Sequence, residues 1–368
     1  MEKHKTVLFV SSYRALYGGN FVASLRELEK HLQAMGYNCI YIFPTECNKY
    51  EWFQILSTRS TTVTLDSFDS KLGLLLDLNK LTKEYDVGLI HTHFLQISVA
   101  ELYSALNSKI RVFIHIHSDF SCGKESIKTK VLELIKFRIL SRHVTFISVN
   151  QKYVKLNNEK VKWIPNAIAR ERFVPSIEDK EKARIRLNIS NDTILCEIFG
   201  WSPYVKGLDI AVNAVKSAYE QCSNIVLGIV YGREMGEDSI KEWINSHTNC
   251  SGDEPFLRYL KPREDVFTYH YASDFLISAS RSEGFSYAIL EMLSIGKPCI
   301  VSNIPGVAWS LKYRSVYPFE TESIEDCKKK ILSLISGNDR IFPTVCEHIH
   351  DEYGIDRWAK SIIAAYGI

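Results

Sequence analysis

The sequence contains no apolar stretch approaching the roughly 20 residues of a bilayer-spanning helix. The apolar run nearest its start, in MEKHKTVLFVSSYR, is too short for a secretory signal and reads as a first strand. Nine cysteines are scattered with no C-x-x-C pair, which argues for reduced core thiols and a cytoplasmic location. The net charge is only +2, so nothing supplies the electrostatic footprint of a nucleic-acid-coating protein. The G-x-G-x-x-G fingerprint is absent, and the loop holding Gly18 and Gly19 is too long for it, which excludes a dinucleotide dehydrogenase. No short-period repeat or low-complexity tract interrupts the chain.

What remains is ordinary globular composition, 46% hydrophobic and 24% charged over 368 residues, a length comfortable for two cores. Apolar runs suited to buried strands alternate with helical patterns almost throughout. The first half carries KTVLFVSS, YNCIYIFP, DVGLIHTH, RVFIHIHS, HVTFISVN and VKWIPNA. The second carries TILCEIFG, NIVLGIVYG, PFLRYL, DFLISAS, PCIVSN and SVYPF. The spacing also predicts a helix from Phe21 to Met35, stopped by Gly36. This pattern predicts α/β architecture with parallel, doubly wound sheets. A polar segment, AIARERFVPSIEDKEK, precedes the restart at TILCEIFG and places a boundary near residue 170. The expected domains are 1–169 and 170–345, with helices in 346–368 packing back toward the first.

The stretch SRSEGFSYAILEMLSIGKPCIVSN, from residue 280, carries two glutamates in apolar surroundings. A helix is predicted from Tyr287 to Ile295, ended by Gly296 and Pro298. Glu283 then sits beyond the carboxyl end of a strand, where open α/β sheets bind ligands. On a helical projection the apolar residues leave a narrow stripe of Tyr287, Glu291 and Ser294. That stripe faces either water or a cleft in which a carboxylate accepts hydroxyl hydrogen bonds. The free N–H groups of Gly284 to Tyr287 offer an anion site at the helix start. One phosphate site flanked by two hydroxyl acceptors suits a sugar nucleotide.

Several segments together resemble a known family. YGGN opens the first helix, IPNAIARERFVP lies between the halves, FGWSPYVKGLDIAVNAV opens the second half, and ASRSEGFSYAILEML carries an E-x7-E pair. Their order and spacing resemble the retaining glycosyltransferases of family 4, whose GT-B fold sets two Rossmann-like domains across a cleft. The resemblance implies transfer of a sugar from a nucleotide-sugar donor to a saccharide acceptor. It implies that Glu283 bonds the transferred sugar or stabilises charge at its anomeric carbon, and that Glu291 accepts the ribose hydroxyls. Lys206 would neutralise the diphosphate, assisted by N–H groups at Gly284, Phe285 and Ser286 and near Gly18 and Gly19. Gly232 matches a glycine that admits backbone close to the nucleotide, and His117 a first-domain histidine that touches the donor sugar. YLKPREDV, from residue 259, lies where the family's backbone reads the nucleobase. No D-x-D motif is present, so no metal ligands are assigned and no obligatory metal or other cofactor is expected.

One position departs from the pattern. Where the family has an arginine on the phosphates, this chain has Trp201 in the donor site, and Val205 replaces a glutamate before Lys206. Tryptophan cannot make the bidentate charged contact. Another cation, with Arg14 and Arg233 as candidates, would substitute, or the diphosphate would be held less tightly. Loss of transfer, leaving a non-catalytic binding or chaperone subunit, is the remaining outcome. A different rival comes from His91, His93, His115 and His117: each H-x-H puts two rings on one strand face, and with Asp119 they suggest a metal-dependent hydrolase. Packing beneath the cleft is the competing account of His91 and His115.

Residues 124 to 143, KESIKTKVLELIKFRILSRH, combine six basic residues and two glutamates with an apolar face of Ile127, Val131, Leu134, Ile135 and Ile139. This predicts an amphipathic basic helix. Its basic face would favour an anionic membrane surface by about 1 kcal/mol per charge. A lipid-linked acceptor at the inner face of the cell membrane, for a surface polysaccharide or glycoconjugate, is the corresponding expectation.

Overall fold

The computed structural model describes residues 5–95, 99–100, 103, 107, 109–117, 144–151, 161–173, 177–232, 235–263, 265–337 and 343–368. The basic segment 124–143, Asp119, Arg233 and Glu264 of YLKPREDV lie outside the described residues.

Two compact units emerge. Among the described residues, one comprises the chain up to Ala167 together with Ile355–Ile368, and the other comprises Ile168–Gly354. The first is built on a seven-stranded parallel sheet: β1 (Thr6–Ser11), β2 (Asn38–Pro44), β3 (Thr61–Leu65), β4 (Val87–His93), β5 (Arg111–Ile116), β6 (Val144–Ser148) and β7 (Val161–Trp163). Their order in space is β3-β2-β1-β4-β5-β6-β7. The second holds a six-stranded parallel sheet: β8 (Ile194–Phe199), β9 (Ile225–Val230), β10 (Leu257–Leu260), β11 (Phe275–Ser278), β12 (Cys299–Ser302) and β13 (Val316–Phe319), in the order β10-β9-β8-β11-β12-β13.

The interior strands are continuous apolar runs because helices cover both sheet faces, so alternation with polar residues would bury unpaired groups. All six residues of β1 are buried. On one face of the first sheet, Phe9 and Tyr41 pack with Phe21, Leu25 and Leu28 of the helix Gly19–Ala34. The helix Ile355–Tyr366 returns to this same core through Trp358, Ala359, Ile362 and Tyr366. On the other face Leu8, Val10 and Ile90 meet Leu74 and Leu78 of the helix Lys71–Glu84. In the second unit the helices Leu208–Tyr219 and Ile324–Ser336 share a core with β8, β9 and β11.

Strand order reverses direction between β1 and β4 in one sheet and between β8 and β11 in the other. At such a switch point successive connections leave to opposite faces, opening a crevice at the carboxyl ends of the strands. The residues following β8 and β11, and those following β1 and β4, are therefore the places to look for chemistry. No helix among the described residues is long and apolar enough to cross a membrane.

Candidate active site

In the second unit, β8 leads through Gly200 and Trp201 into a short helix, Pro203–Lys206, and β11 leads into the loop containing Glu283. Gly207 makes their approach possible. Its φ of +65° is a left-handed conformation, and a Cβ there would stand 2.0 Å from the carbonyl oxygen of Ala279. Arg281, which sequence reasoning had not singled out, then staples the loops together. Its backbone N–H donates to Val205 O at 2.8 Å, and its guanidinium bonds both carboxylate oxygens of Asp209 and both of Glu322. Hydrogen bonds to these two carboxylates raise its pKa still further, so the cation is permanent. Gly306 supports Glu283 from the other side, where a Cβ would come within 1.9 Å of the Glu283 carbonyl oxygen.

The outcome is a direct ion pair. Lys206 Nζ stands 2.6 Å from Glu283 Oε1, and Ser280 Oγ donates to the same oxygen at 2.8 Å. Both charged side chains are mostly buried, 14% and 11% exposed, yet 77 residues apart in sequence. Trp201, 56% exposed, places its ring 4.8 Å from Lys206 Nζ. An ammonium over an indole face is attracted by the ring quadrupole. Gly232 admits the Trp201 backbone beside it, since a Cβ would meet Trp201 Cβ at 2.8 Å. Sequence-assigned Lys206, Trp201, Gly232 and Glu283 thus come together, with Gly284, Phe285 and Ser286 leading directly into the helix Tyr287–Ser294. Ser286 makes no side-chain cap bond there.

Glu291 is held in a polar cluster of its own. Of the polar stripe on its helix, Glu291 and Ser294 are buried and Tyr287 is half-buried. Glu291 Oε2 lies 3.0 Å from His270 Nε2, while His270 Nδ1 lies 2.5 Å from Glu197 Oε1 and Ser273 Oγ donates to Glu197 Oε2. Burial pushes the His270 pKa down, but the two carboxylates more than offset it and raise it to about 9. His270 is therefore an imidazolium at neutral pH, donating from both nitrogens and aiming Glu291 by one oxygen. Lys297 completes the cluster, its Nζ donating to the carbonyls of His270, Tyr271 and Ser273. Burial lowers the Lys297 pKa to about 7. The available sequence signal was a single charged residue, Glu197, inside an otherwise apolar strand.

In the first unit Gly18 caps the helix beginning at Gly19, whose φ is +55°. Gly18 lies close to Trp52 and Val22, where a Cβ would meet side-chain carbons at 3.0 and 3.2 Å. His117 follows β5, stacked on Phe94 with ring centroids 4.1 Å apart, and its Nε2 is 3.0 Å from His93 Nδ1. His91, His93 and His115 are fully buried beneath it. Arg14 is ion-paired to Asp69 at 2.8 Å.

Residues 179–344 match the family model described as glycosyl transferases group 1. Among curated relatives, the UDP-Gal:alpha-D-GlcNAc-diphosphoundecaprenol alpha-1,3-galactosyltransferase of Escherichia coli is 26% identical, over 72% of this chain and 73% of that protein. The alpha-monoglucosyldiacylglycerol synthase of Streptococcus pneumoniae is 24% identical, over 81% and 71%. Among solved structures, a glycosyltransferase from Rickettsia africae superposes with a TM-score of 0.77 at 16% identity, covering 100% of this chain and 98% of that one. Anabaena HepE, solved with UDP-glucose, gives 0.77 at 17% identity, covering 99% and 100%. The fold is the two-domain, Rossmann-like GT-B fold, and the matches support a glycosyltransferase.

Proposed function

We propose that the chain is a retaining glycosyltransferase of family 4. It moves a sugar from a nucleotide-sugar donor to a hydroxyl of a lipid-linked saccharide, at the inner face of the membrane, in the assembly of a polysaccharide or glycoconjugate. The observation that carries this reading is the Lys206–Glu283 pair at the switch point of the second sheet. The two curated relatives support the lipid-linked acceptor, since their names describe a polyprenyl-diphosphate sugar and a glucosyl diacylglycerol.

In this mechanism the bond between the anomeric carbon and the diphosphate oxygen breaks as the acceptor oxygen attacks from the same face. The acceptor proton passes to the departing phosphate. Negative charge grows on the leaving group, where preorganised cations act with most effect. Lys206 meets that charge with the N–H groups of Gly284 to Tyr287, and the Glu283 carboxylate stays beside the sugar as positive charge builds on its ring. Without ligand, Glu283 keeps Lys206 oriented and electrically satisfied. Glu291, fixed by His270, receives the ribose hydroxyls. Trp201 replaces a bidentate arginine, so Lys206 carries a larger share of the diphosphate charge. The step needs no metal.

A thermal-shift screen of nucleotides and nucleotide sugars tests the reading first. A ligand at 100 times its Kd adds about 2.7 kcal/mol of stability. Transfer to a lipid-linked saccharide, with NMR of the product anomer, then decides between retention and inversion. Failure of every nucleotide sugar to stabilise the protein overturns the proposal.

A further inference from the structure

Three histidines of β4 and β5, with His117 just after β5, are an unusual thing to bury. His93 and His115 are partners in the β4–β5 register, and His91 lies two residues before His93 on the same face. The His91 and His93 ring centroids are 4.1 Å apart, and those of His93 and His115 are 5.0 Å apart. Among the described residues, four ring nitrogens of the three deeper rings have no hydrogen-bond partner: Nε2 of His91, Nε2 of His93 and both nitrogens of His115. Each buried, unpaired polar atom costs about 1–3 kcal/mol. The proposed transfer uses none of the three deeper rings.

The two nitrogens that do have partners are informative. His91 Nδ1 lies 2.7 Å from Tyr366 Oη, and His93 Nδ1 lies 3.0 Å from His117 Nε2. With the proton on each Nδ1, the outer hydrogen bond fixes the ring and leaves the Nε2 lone pair free. Metal-binding histidines are held in this way, one nitrogen anchored to an oxygen or nitrogen acceptor and the other on the ion. One ligand nitrogen from each of His91, His93 and His115 falls within a mutual spacing of 4.8 Å. Bonds of 2.0–2.1 Å in tetrahedral geometry require about 3.4 Å between ligand atoms. Side-chain rotation therefore needs to close the set by about 1.4 Å at most.

We infer that His91, His93 and His115 bind a borderline divalent transition ion, of the zinc class, as a structural cross-link between the carboxyl ends of β4 and β5. An all-imidazole set favours zinc, cobalt, nickel or copper over magnesium or calcium, which want oxygen. Three protein ligands leave a fourth position for water. The ion would replace the missing hydrogen-bond partners and tie the Tyr366 helix, through His91, to the sheet. Among the described residues, the charged groups that influence His93 and His115 are the other histidines. The inferred role of the ion is to hold structure.

The test is expression of the full chain in cobalt-supplemented medium, purification without chelator, metal analysis and visible absorption. We expect one cobalt per chain with the intense visible bands of a tetrahedral site, and a lower Tm for protein grown without added metal. His93→Asn and His115→Asn should abolish the bands while circular dichroism remains native. A surface set, Glu27, His31 and Asp356, also brings ligand atoms together, and His31→Ala controls for it. Metal-free protein, weak octahedral bands, or bands lost in His31→Ala but retained in His93→Asn would each overturn the inference.

Discussion

The two units solve opposite problems with buried titratable groups. In the second, charge is met by charge: Glu283 by Lys206, Glu197 and Glu291 by His270, and Asp274 by Arg184 and Lys180. In the first, desolvation and neighbouring histidines keep His93 and His115 neutral by lowering their pKa values well below the usual range. A compensated ionic network would suit the proposed diphosphate site, because its dipoles are set before a ligand arrives. A neutral imidazole cluster offers lone pairs instead. The contrast shows that burial alone does not describe a site; the sign and pairing of what is buried do.

The sharpest way to break the ionic side is at its deepest member. Glu197→Ala leaves His270 as a buried cation with a single partner, and removing one half of a buried pair costs about 3–5 kcal/mol. Urea denaturation should show that loss, with a native m-value. If Glu197→Ala is neutral, the network is not ionised as described. Next in size, Lys206→Ala and Glu283→Ala should each lower turnover by roughly 10²–10³, the range for loss of one preorganised electrostatic group. Their unfolding midpoints should shift less than that of Glu197→Ala, since Lys206 and Glu283 keep some contact with solvent while Glu197 and His270 have none. Normal turnover by the folded fraction would remove Lys206 and Glu283 from the chemistry.

Glu291→Ala is expected to act on binding, raising the donor KM by about 10- to 100-fold, which corresponds to the 1.5–3 kcal/mol of charged hydrogen bonds. A fall in kcat with unchanged KM would reassign it. A smaller effect should accompany pH. His270, raised to about 9, holds its proton throughout the neutral range. Its orienting bond to Glu291 is fully present below the unfolded value near 6.5 and is lost as pH rises through 9. Donor KM should climb above pH 9, and that limb should vanish in His270→Gln. The smallest expected change is none: EDTA should leave turnover intact, measured well below the unfolding temperature. Complete loss restored by magnesium would place a metal on the diphosphate.

Much of this organisation was legible in the sequence. Apolar runs betrayed twelve strands because a strand buried on both faces has no choice but to be apolar. Edge strand β3, Thr61–Leu65, escaped: TTVTL is partly exposed and carries no such run. The E-x7-E pair placed Glu283 and Glu291 near a strand end and in a helix, as found. Their partners were not legible. Lys206 reaches Glu283 across 77 residues, and His270 reaches Glu197 across 73, and only the fold juxtaposes such positions. The polar stripe on the helix Tyr287–Ser294 did not disclose His270 for the same reason, since periodicity shows that a face is polar but not what covers it. Trp201 was visible as a departure, while its contact with Lys206 was not.

The helix Ile355–Tyr366 has a consequence for how the molecule is made. Trp358 and Ile362 fill the core built on β1 and β2, and Tyr366 reaches both His91 and, by its carbonyl, Arg111 at 2.6 Å. The contact with Arg111 spans 255 residues. Synthesis proceeds from the amino end at about 5–20 residues per second, so the first sheet waits roughly 10–40 seconds for the last helix of its own interior. The second unit, contiguous from Ile168 to Gly354, has no such delay. The order of emergence and the order of completion are therefore reversed: the half translated first is the half finished last. Until then its apolar face over β1 and β2 is open to chaperones and to neighbouring nascent chains.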